Sequence, residues 1–484
     1  GKGRIWKLEI DPNADWITPT APEALNADVV GARKLRAGIE NPPTGELLKL
    51  STSDDPFLAQ AAMAALSRHA RFWDNVFIEK RSGEERVSVL IALRHARPRS
   101  ANRARHFLAS TDPEVVFETL RWITDENLAS LAGEVEAILN QPDLSHRLFE
   151  AALACWNTLN GKPRSGIADT ATLIKRVKDK KSSPRLRAFS LRLLPPNVPQ
   201  LKDHILQDLL TIGDPLLTTI TVRTIAARTN ATSGELLARI AADDEIAPEV
   251  RADAIVGLAR NTEEYKELLV RLAEEPEPEV RAEAIRALRF QALPEALSGS
   301  LISVAAENPD VLDLVDAVVK PNSLTRNRPA LQDLEGWKKV LKDGKGDLDT
   351  GRRIFFHPRI ALCSTCHRRN GRGTVLGPDL SVVADRGDHD WLLNSILQPN
   401  RDVAPQFYPW ELTMKNGDEF VGIVLRKGGR SGKEFYRDRT GKERGIVKDE
   451  ITSRRELKTS LMPDGLLASL TIQEIRDLVA YLSQ

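Results

Sequence analysis

The sequence predicts a mainly α-helical protein: an α-solenoid over residues 25–320, then a second helical domain over residues 347–484 with a β-rich insertion at about 407–458. Three observations lead there. The first is an internal repeat: Pro248-Glu249-Val250-Arg251-Ala252-Asp253-Ala254-Ile255 returns 30 residues later as Pro278-Glu279-Val280-Arg281-Ala282-Glu283-Ala284-Ile285. The second is a change of period after residue 407, from helical spacing to alternation around the turn pairs Asn416-Gly417 and Thr440-Gly441. The third is the run Leu362-Cys363-Ser364-Thr365-Cys366-His367, set ahead of a last helical run that ends Leu478-Val479-Ala480-Tyr481-Leu482.

Residues 1–10 alternate, with Trp6, Leu8 and Ile10 on one face, and read as a strand followed by a linker bearing Pro12, Pro19 and Pro22. A lone strand cannot satisfy its backbone, so segment 1–24 is expected either to join a distant sheet or to be the last strand of an upstream domain. From 25 to 320 weaker copies of the repeat begin at Asp54-Asp55-Pro56, Thr111-Asp112-Pro113, Ser183-Pro184, Gly213-Asp214-Pro215 and Asn308-Pro309. Proline at a helix start, followed by apolar residues at helical spacing, marks an N-terminus. The pattern V-R-x-x-A-x-x-A-L resembles HEAT repeats, which implies two helices per unit stacked in a solenoid. Trp73, Trp122, Trp156, Cys155 and Met63 are expected in the core. The basic run from Arg94 to His106 reads as a solvated helix face with its loop, or else as a docking patch. Residues 321–346 are polar apart from Trp337 and suit a linker; a helix follows from about Leu348 to Phe356.

Composition excludes several classes. Sixty-nine basic and 68 acidic residues leave a net charge of +1, which argues against wholesale binding to nucleic acid or a membrane surface. No apolar run approaches the roughly 20 residues that span a bilayer. No disulfide within the chain is expected, because two of the three cysteines belong to the Cys-x-x-Cys-His run.

That run is the pattern of c-type haem attachment. Two thiols three positions apart on a tight turn each form a thioether to the same macrocycle, and the next residue places an imidazole against the iron. Zinc would need a second ligand pair, which the remote Cys155 cannot supply. A dithiol redox site would need a βαβ surround.

Downstream, Gly377-Pro378-Asp379-Leu380, a helical run, Ser460-Leu461-Met462-Pro463 and the closing helix follow in an order that resembles class I cytochrome c. The resemblance implies one covalently attached haem c with His367 as proximal iron ligand, the Pro378 carbonyl accepting the second imidazole N–H, and Met462 as distal ligand. Water, His389 or His357 are the other candidates for that sixth position. His367 and Met462 are 95 residues apart, long for a compact one-haem domain. The excess is the insertion, where Asn416-Gly417 joins two alternating runs and a second hairpin turns at Thr440-Gly441; Met414, within it, is expected to be core.

A cytochrome with this insertion, with Ser460 to Leu466 ahead of Leu470-Thr471-Ile472-Gln473-Glu474 and a helical array in front, resembles the haem-binding domain of the Planctomycetes–Verrucomicrobia type over residues 345–484. The resemblance implies the C-terminal part of a propeller-type, membrane-associated dehydrogenase, located in the periplasm. The expected function is a monohaem electron-transfer module on a helical-repeat scaffold. It would accept electrons from a sugar or alcohol dehydrogenase domain or partner and would not be catalytic alone. A scaffold with incidental haem is the rival reading, as is a peroxidase or gas sensor if Met462 leaves the iron open. Between Lys342 and Gly373, eight basic residues (Lys342, Lys345, Arg352, Arg353, Arg359, Arg368, Arg369, Arg372) face three aspartates, Asp343, Asp347 and Asp349. They would steer an acidic redox partner, or pair with propionates and solvent.

Overall fold

The computed structural model describes residues 27–70, 72–73, 75–81, 83–161, 170–228, 230–324, 328–426, 432–438 and 441–484, so the strand expected over 1–10 lies outside the described residues. The protein is mainly helical, with a small antiparallel sheet, and divides near residue 166 into two compact units. No helix among the described residues is long and apolar enough to cross a membrane.

The first unit contains α1 (Ala27–Ala37), α2 (Thr44–Leu50), α3 (Pro56–Ala70), α4 (Asn75–Glu79) and α5 (Gly83–Ala96). It continues with α6 (Ala101–Leu108), α7 (Pro113–Asp125), α8 (Ala132–Leu139) and α9 (His146–Leu159). Helices α1, α3, α5, α7 and α9 pack each on the next, while α2, α6 and α8 cover α3, α7 and α9. Trp73, Trp122 and Cys155 are buried in this unit as expected; Trp156 and Met63 are only half-buried.

The second unit opens with the same arrangement. Its helices are α10 (Thr170–Lys178), α11 (Pro184–Leu193), α12 (Asp203–Leu210), α13 (Pro215–Ala226) and α14 (Ala231–Ala242). There follow α15 (Pro248–Leu258), α16 (Thr262–Ala273), α17 (Pro278–Ala287), α18 (Glu295–Glu307) and α19 (Leu312–Val319). The row α11, α13, α15, α17, α19 packs in sequence, and the even-numbered helices lie outside it. The repeat prolines occupy the first helical position of α3, α7, α11, α13, α15 and α17, where a missing N–H costs nothing. Asp112, Ser183 and Asp214 cap their helices by accepting backbone N–H groups. The repeat arginine has a structural task. Arg187 and Arg251 each donate from Nε, at 2.9 Å, to a carbonyl at the end of the preceding helix, Val177 and Ala241 respectively. That carbonyl would otherwise lack a partner.

Residues 321–346 are not a linker throughout. Leu334–Lys342 forms α20, and its Trp337 and Leu341 join the apolar core of the C-terminal segment. The spacing of Leu334, Trp337 and Leu341 puts them on one helix face, which a polar average conceals. The same core is filled by α21 (Leu348–Phe356), α22 (His389–Leu397) and α23 (Ile472–Leu482). Helices α21 and α23 cross so closely that a Cβ at Gly351 would collide with the Asp477 carbonyl.

The C-terminal segment contains two ladders, the larger of them in the insertion. Strands β1 (Arg368–Arg369) and β2 (Arg372–Gly373) make a minimal hairpin beside the Cys-x-x-Cys-His turn. Strands β3 (Pro409–Met414), β4 (Glu419–Arg426), β5 (Lys433–Asp438), β6 (Glu443–Val447) and β7 (Ile451–Glu456) form an antiparallel sheet in the order β6-β5-β4-β3-β7. Both expected hairpins are present, turning at Gly417 and Gly441 with positive φ. β7 was not foreseen, and Met414 is half-buried rather than core.

Within the second unit, buried ion pairs join the repeat helices to the C-terminal segment. Asp253 and Glu283 hold equivalent positions of the two clearest repeats and are 2% and 1% exposed. The consecutive Arg352 and Arg353 of α21 reach them, Arg353 Nε at 2.8 Å from Glu283. Arg286 and Arg289 in turn reach Glu474 of α23, at 2.7 and 2.8 Å. Arg372 donates to the carbonyls of Leu194 and Leu191 and to Thr224 Oγ1, and Arg359 to Thr262 Oγ1 and the Phe290 carbonyl.

Candidate haem-attachment site

Two consecutive left-handed residues, Ala361 and Leu362, reverse the chain after α21 and launch the 3₁₀ turn Cys363–Thr365. The His367 N–H donates to the Cys363 carbonyl at 2.8 Å, so both thiols and the imidazole leave one tight turn. The chain then doubles back. Thr374 N–H and Oγ1–H bond the Ser364 carbonyl, at 3.1 and 2.9 Å, and Gly377 N–H bonds the Cys366 carbonyl at 2.7 Å. These bonds lay residues 374–378 along the motif.

That return path brings Pro378 to His367. Nδ1 lies 2.9 Å from the Pro378 carbonyl oxygen, which can only accept, so Nδ1 carries the proton. Nε2 is thereby left as the lone-pair nitrogen and bonds to no described residue. Gly377 permits the approach: a Cβ there would stand 2.6 Å from His367 Cε1. Burial lowers the His367 pKa and the Pro378 carbonyl works the other way, so the imidazole is neutral at pH 7, as a metal ligand must be.

The Cys363 thiol lacks the depressed pKa of a dithiol redox site. Cys363, Cys366 and Cys155 are all free, and burial pushes the Cys363 thiol up to about 12. Reactive Cys-x-x-Cys sites depress that value instead. Among the described residues no three His, Cys, Asp or Glu side chains converge where one metal ion could sit. A tetrahedral zinc site needs such convergence, whereas thioether attachment sends the sulfurs to a ring edge and the imidazole to its centre. The residues therefore fit a covalently attached haem.

Met462 stands in a separate loop and is half-buried. Asn400 braces that loop: its Oδ1 accepts the Ser460 N–H at 2.7 Å and its amide donates to Asp464 at 3.2 Å. Ser460 Oγ accepts the Met462 N–H at 3.0 Å. His357 is withdrawn from ligand duty at one nitrogen, because Nδ1 accepts the N–H groups of Arg359 and Ile360, both at 3.2 Å. Its Nε2 is buried without a hydrogen bond. Burial, then Arg286 and Arg289, lower its pKa well below the usual value. His389 is exposed at the start of α22, beside Asp390.

The insertion abuts the 374–378 return path beside the motif, since Arg437 of β5 donates to the Val375 carbonyl. Asn400 and Arg437 escaped the sequence reading, and no local signal marks either. No protein-family model matches the chain, and no curated protein sequence matches it.

Proposed function

We propose that this chain is a monohaem c-type cytochrome module, carried on a HEAT-like solenoid, that accepts single electrons from a sugar or alcohol dehydrogenase domain or partner. The observation that carries the reading is the Cys363–His367 turn with Nδ1 of His367 held 2.9 Å from the Pro378 carbonyl and Nε2 directed elsewhere. A haem attached there supplies one-electron chemistry, Fe(II) exchanging with Fe(III).

The chain's own residues set the terms of that chemistry. Cys363 and Cys366 would hold the macrocycle through thioethers. Pro378 fixes the tautomer and plane of His367 and raises its basicity as a ligand. Met462, in its Asn400-braced loop, would supply a thioether ligand, and such ligation favours the reduced state. With both His367 and Met462 as ligands the haem would serve electron transfer, and substrate oxidation would belong to the donor. The stacked rows of helices support a solenoid, and the arginine contacts to α21 and α23 support a cytochrome fixed on it. Covalent assembly of this kind occurs outside the cytoplasmic membrane, which supports a periplasmic location.

The test is expression with cytochrome maturation machinery. The protein should carry one haem that survives denaturation, and its oxidised visible spectrum should show a sulfur-to-iron charge-transfer band. The double variant Cys363→Ala/Cys366→Ala should lose covalent haem. Haem that remains covalently bound to the double variant would overturn the proposal.

A further inference from the structure

A cavity of about 460 Å³ lies where α13 and α15 meet α21, the end of α23 and the outer side of the Cys363–Thr365 turn. That volume is typical of small-molecule sites. Neither thiol lines it, nor does His367 or Met462. Ser364 and Thr365, the residues between the cysteines, form part of its wall. It is therefore a different place from the attachment site.

Its polar lining is dominated by one residue type. Seven arginines border it, with a single carboxylate, Asp253. Asp253 is shared by two of them, Arg223 and Arg352, while Arg353 is paired with Glu283. Three others bond neutral carbonyls: Arg260 that of Ala226, Arg372 those of Leu191 and Leu194, Arg369 those of Leu380 and Tyr481. Arg369 is 2% exposed and its Nε has no hydrogen-bond partner, and Arg352 Nε is likewise buried and unpartnered. Burial, with Arg192 beside it, pushes Arg372 down to about 10. Burial does the same to Arg352, where Arg223 and Arg353 oppose the help of Asp253. Desolvated guanidinium groups are costly without counter-charge. Between the arginines the wall is apolar, from Ile220, Val256, Phe356 and Pro358.

We propose that this cavity binds a small organic anion, a carboxylate or phosphate ester with an apolar body. Guanidinium forks match the planar geometry of those oxyanions and are weakly enough hydrated to meet them in a confined space. The apolar wall takes the body. Occupancy would bridge the repeat helices and the residues between the cysteines. The proposal does not depend on haem, and its test reads binding alone.

The 484-residue chain is titrated calorimetrically with phenyl phosphate, benzoate, inorganic phosphate and benzyl alcohol in buffer with about 0.15 M chloride. One of the two aromatic anions should bind with 1:1 stoichiometry, at least about tenfold tighter than benzyl alcohol or inorganic phosphate. Whichever binds tighter identifies the head group. Arg260→Gln, which gives up only one main-chain bond, should weaken it several-fold, and Ile220→Trp, which fills the space, should abolish it. Equal binding of benzyl alcohol would make this an apolar crevice, and equal binding of inorganic phosphate an adventitious ion only. Either result overturns the proposal, as does aromatic-anion binding unchanged in Arg260→Gln.

Discussion

Glu474→Gln tests the joint between the repeat helices and the C-terminal segment. Glu474 is the third residue of α23 and closes a capping box with Thr471. Its carboxylate also accepts from Arg286 at 2.7 Å and from Arg289 at 2.8 and 3.1 Å, so every lone pair is used. Glu283 and Arg328 complete the charged surroundings, with neutral His357 beside them. Burial would raise the pKa of Glu474, but the Arg289 and Arg286 charges outweigh it and hold the carboxyl at about 2 against its usual 4.5. At 1.36 kcal/mol per pH unit this gap is worth on the order of 3 kcal/mol at pH 7, the lower end of the cost of breaking a buried pair. Because the folded value lies below the unfolded one, the contribution is complete above 4.5 and lost as the pH falls towards 2. Urea unfolding followed by tryptophan fluorescence should therefore show Glu474→Gln about 3 kcal/mol less stable than the parent at pH 7, and only about 1 kcal/mol less stable at pH 3. Exposed Glu274→Gln should stay within about 0.5 kcal/mol at both. A Glu474→Gln protein as stable as the parent at pH 7, or a deficit that does not shrink in acid, would refute the reasoning.

Two further outcomes follow from the same structure. Met462→Ala should let carbon monoxide or cyanide bind and should lower the reduction potential, read by visible spectroscopy and redox titration, whereas Met414→Ala in β3 should leave the spectrum unchanged. Val280→Asp places a charge at a fully buried position of α17 and should cost several kcal/mol in denaturant unfolding, while exposed Glu274→Lys should cost within about 0.5 kcal/mol.

What the sequence made legible was local. Proline at the first helical position is a signal confined to a few residues, and the repeat starts were read from it. Asn416-Gly417 and Thr440-Gly441 likewise announced two hairpins, because a tight turn needs those residues whatever surrounds it. The motif and its Pro378 partner lie 11 residues apart and are joined by short-range backbone bonds. By contrast, β7 is an edge strand reading Ile-Thr-Ser-Arg-Arg-Glu, with no face that has to be buried and hence no alternation. α20 offered Leu334, Trp337 and Leu341 on one face, but within a mostly polar stretch whose average conceals them. The ion pairs to Glu474 span more than 180 residues, beyond any spacing argument. One clue was present: Asp253 and Glu283 sit among alanines in the repeat face that packs inward, where a carboxylate needs a cationic partner from elsewhere.

The basic stretch around the motif makes the same point with a measurable consequence. Counted along the sequence, residues 342–373 carry a surplus of positive charge that would steer an acidic donor. In the structure six of those eight side chains are engaged within the chain. Arg352 and Arg353 take Asp253 and Glu283, Arg359 takes Thr262 and the Phe290 carbonyl, and Arg369 and Arg372 take main-chain carbonyls. Arg368 is paired with Asp379 at 3.0 Å. That leaves Lys342 and Lys345 exposed, next to exposed Asp343, Asp347 and Asp349. The exposed charges of this stretch are thus close to balanced, and the arginines are held against the chain's own carboxylates and carbonyls, not presented to a partner at a docking surface. Haem reduction by an acidic protein donor, followed by stopped flow, should then change less than about threefold between 50 and 200 mM salt, where a steered association falls steeply. A steep decline would place the docking charge on these side chains after all and would require the arginine contacts to open in solution.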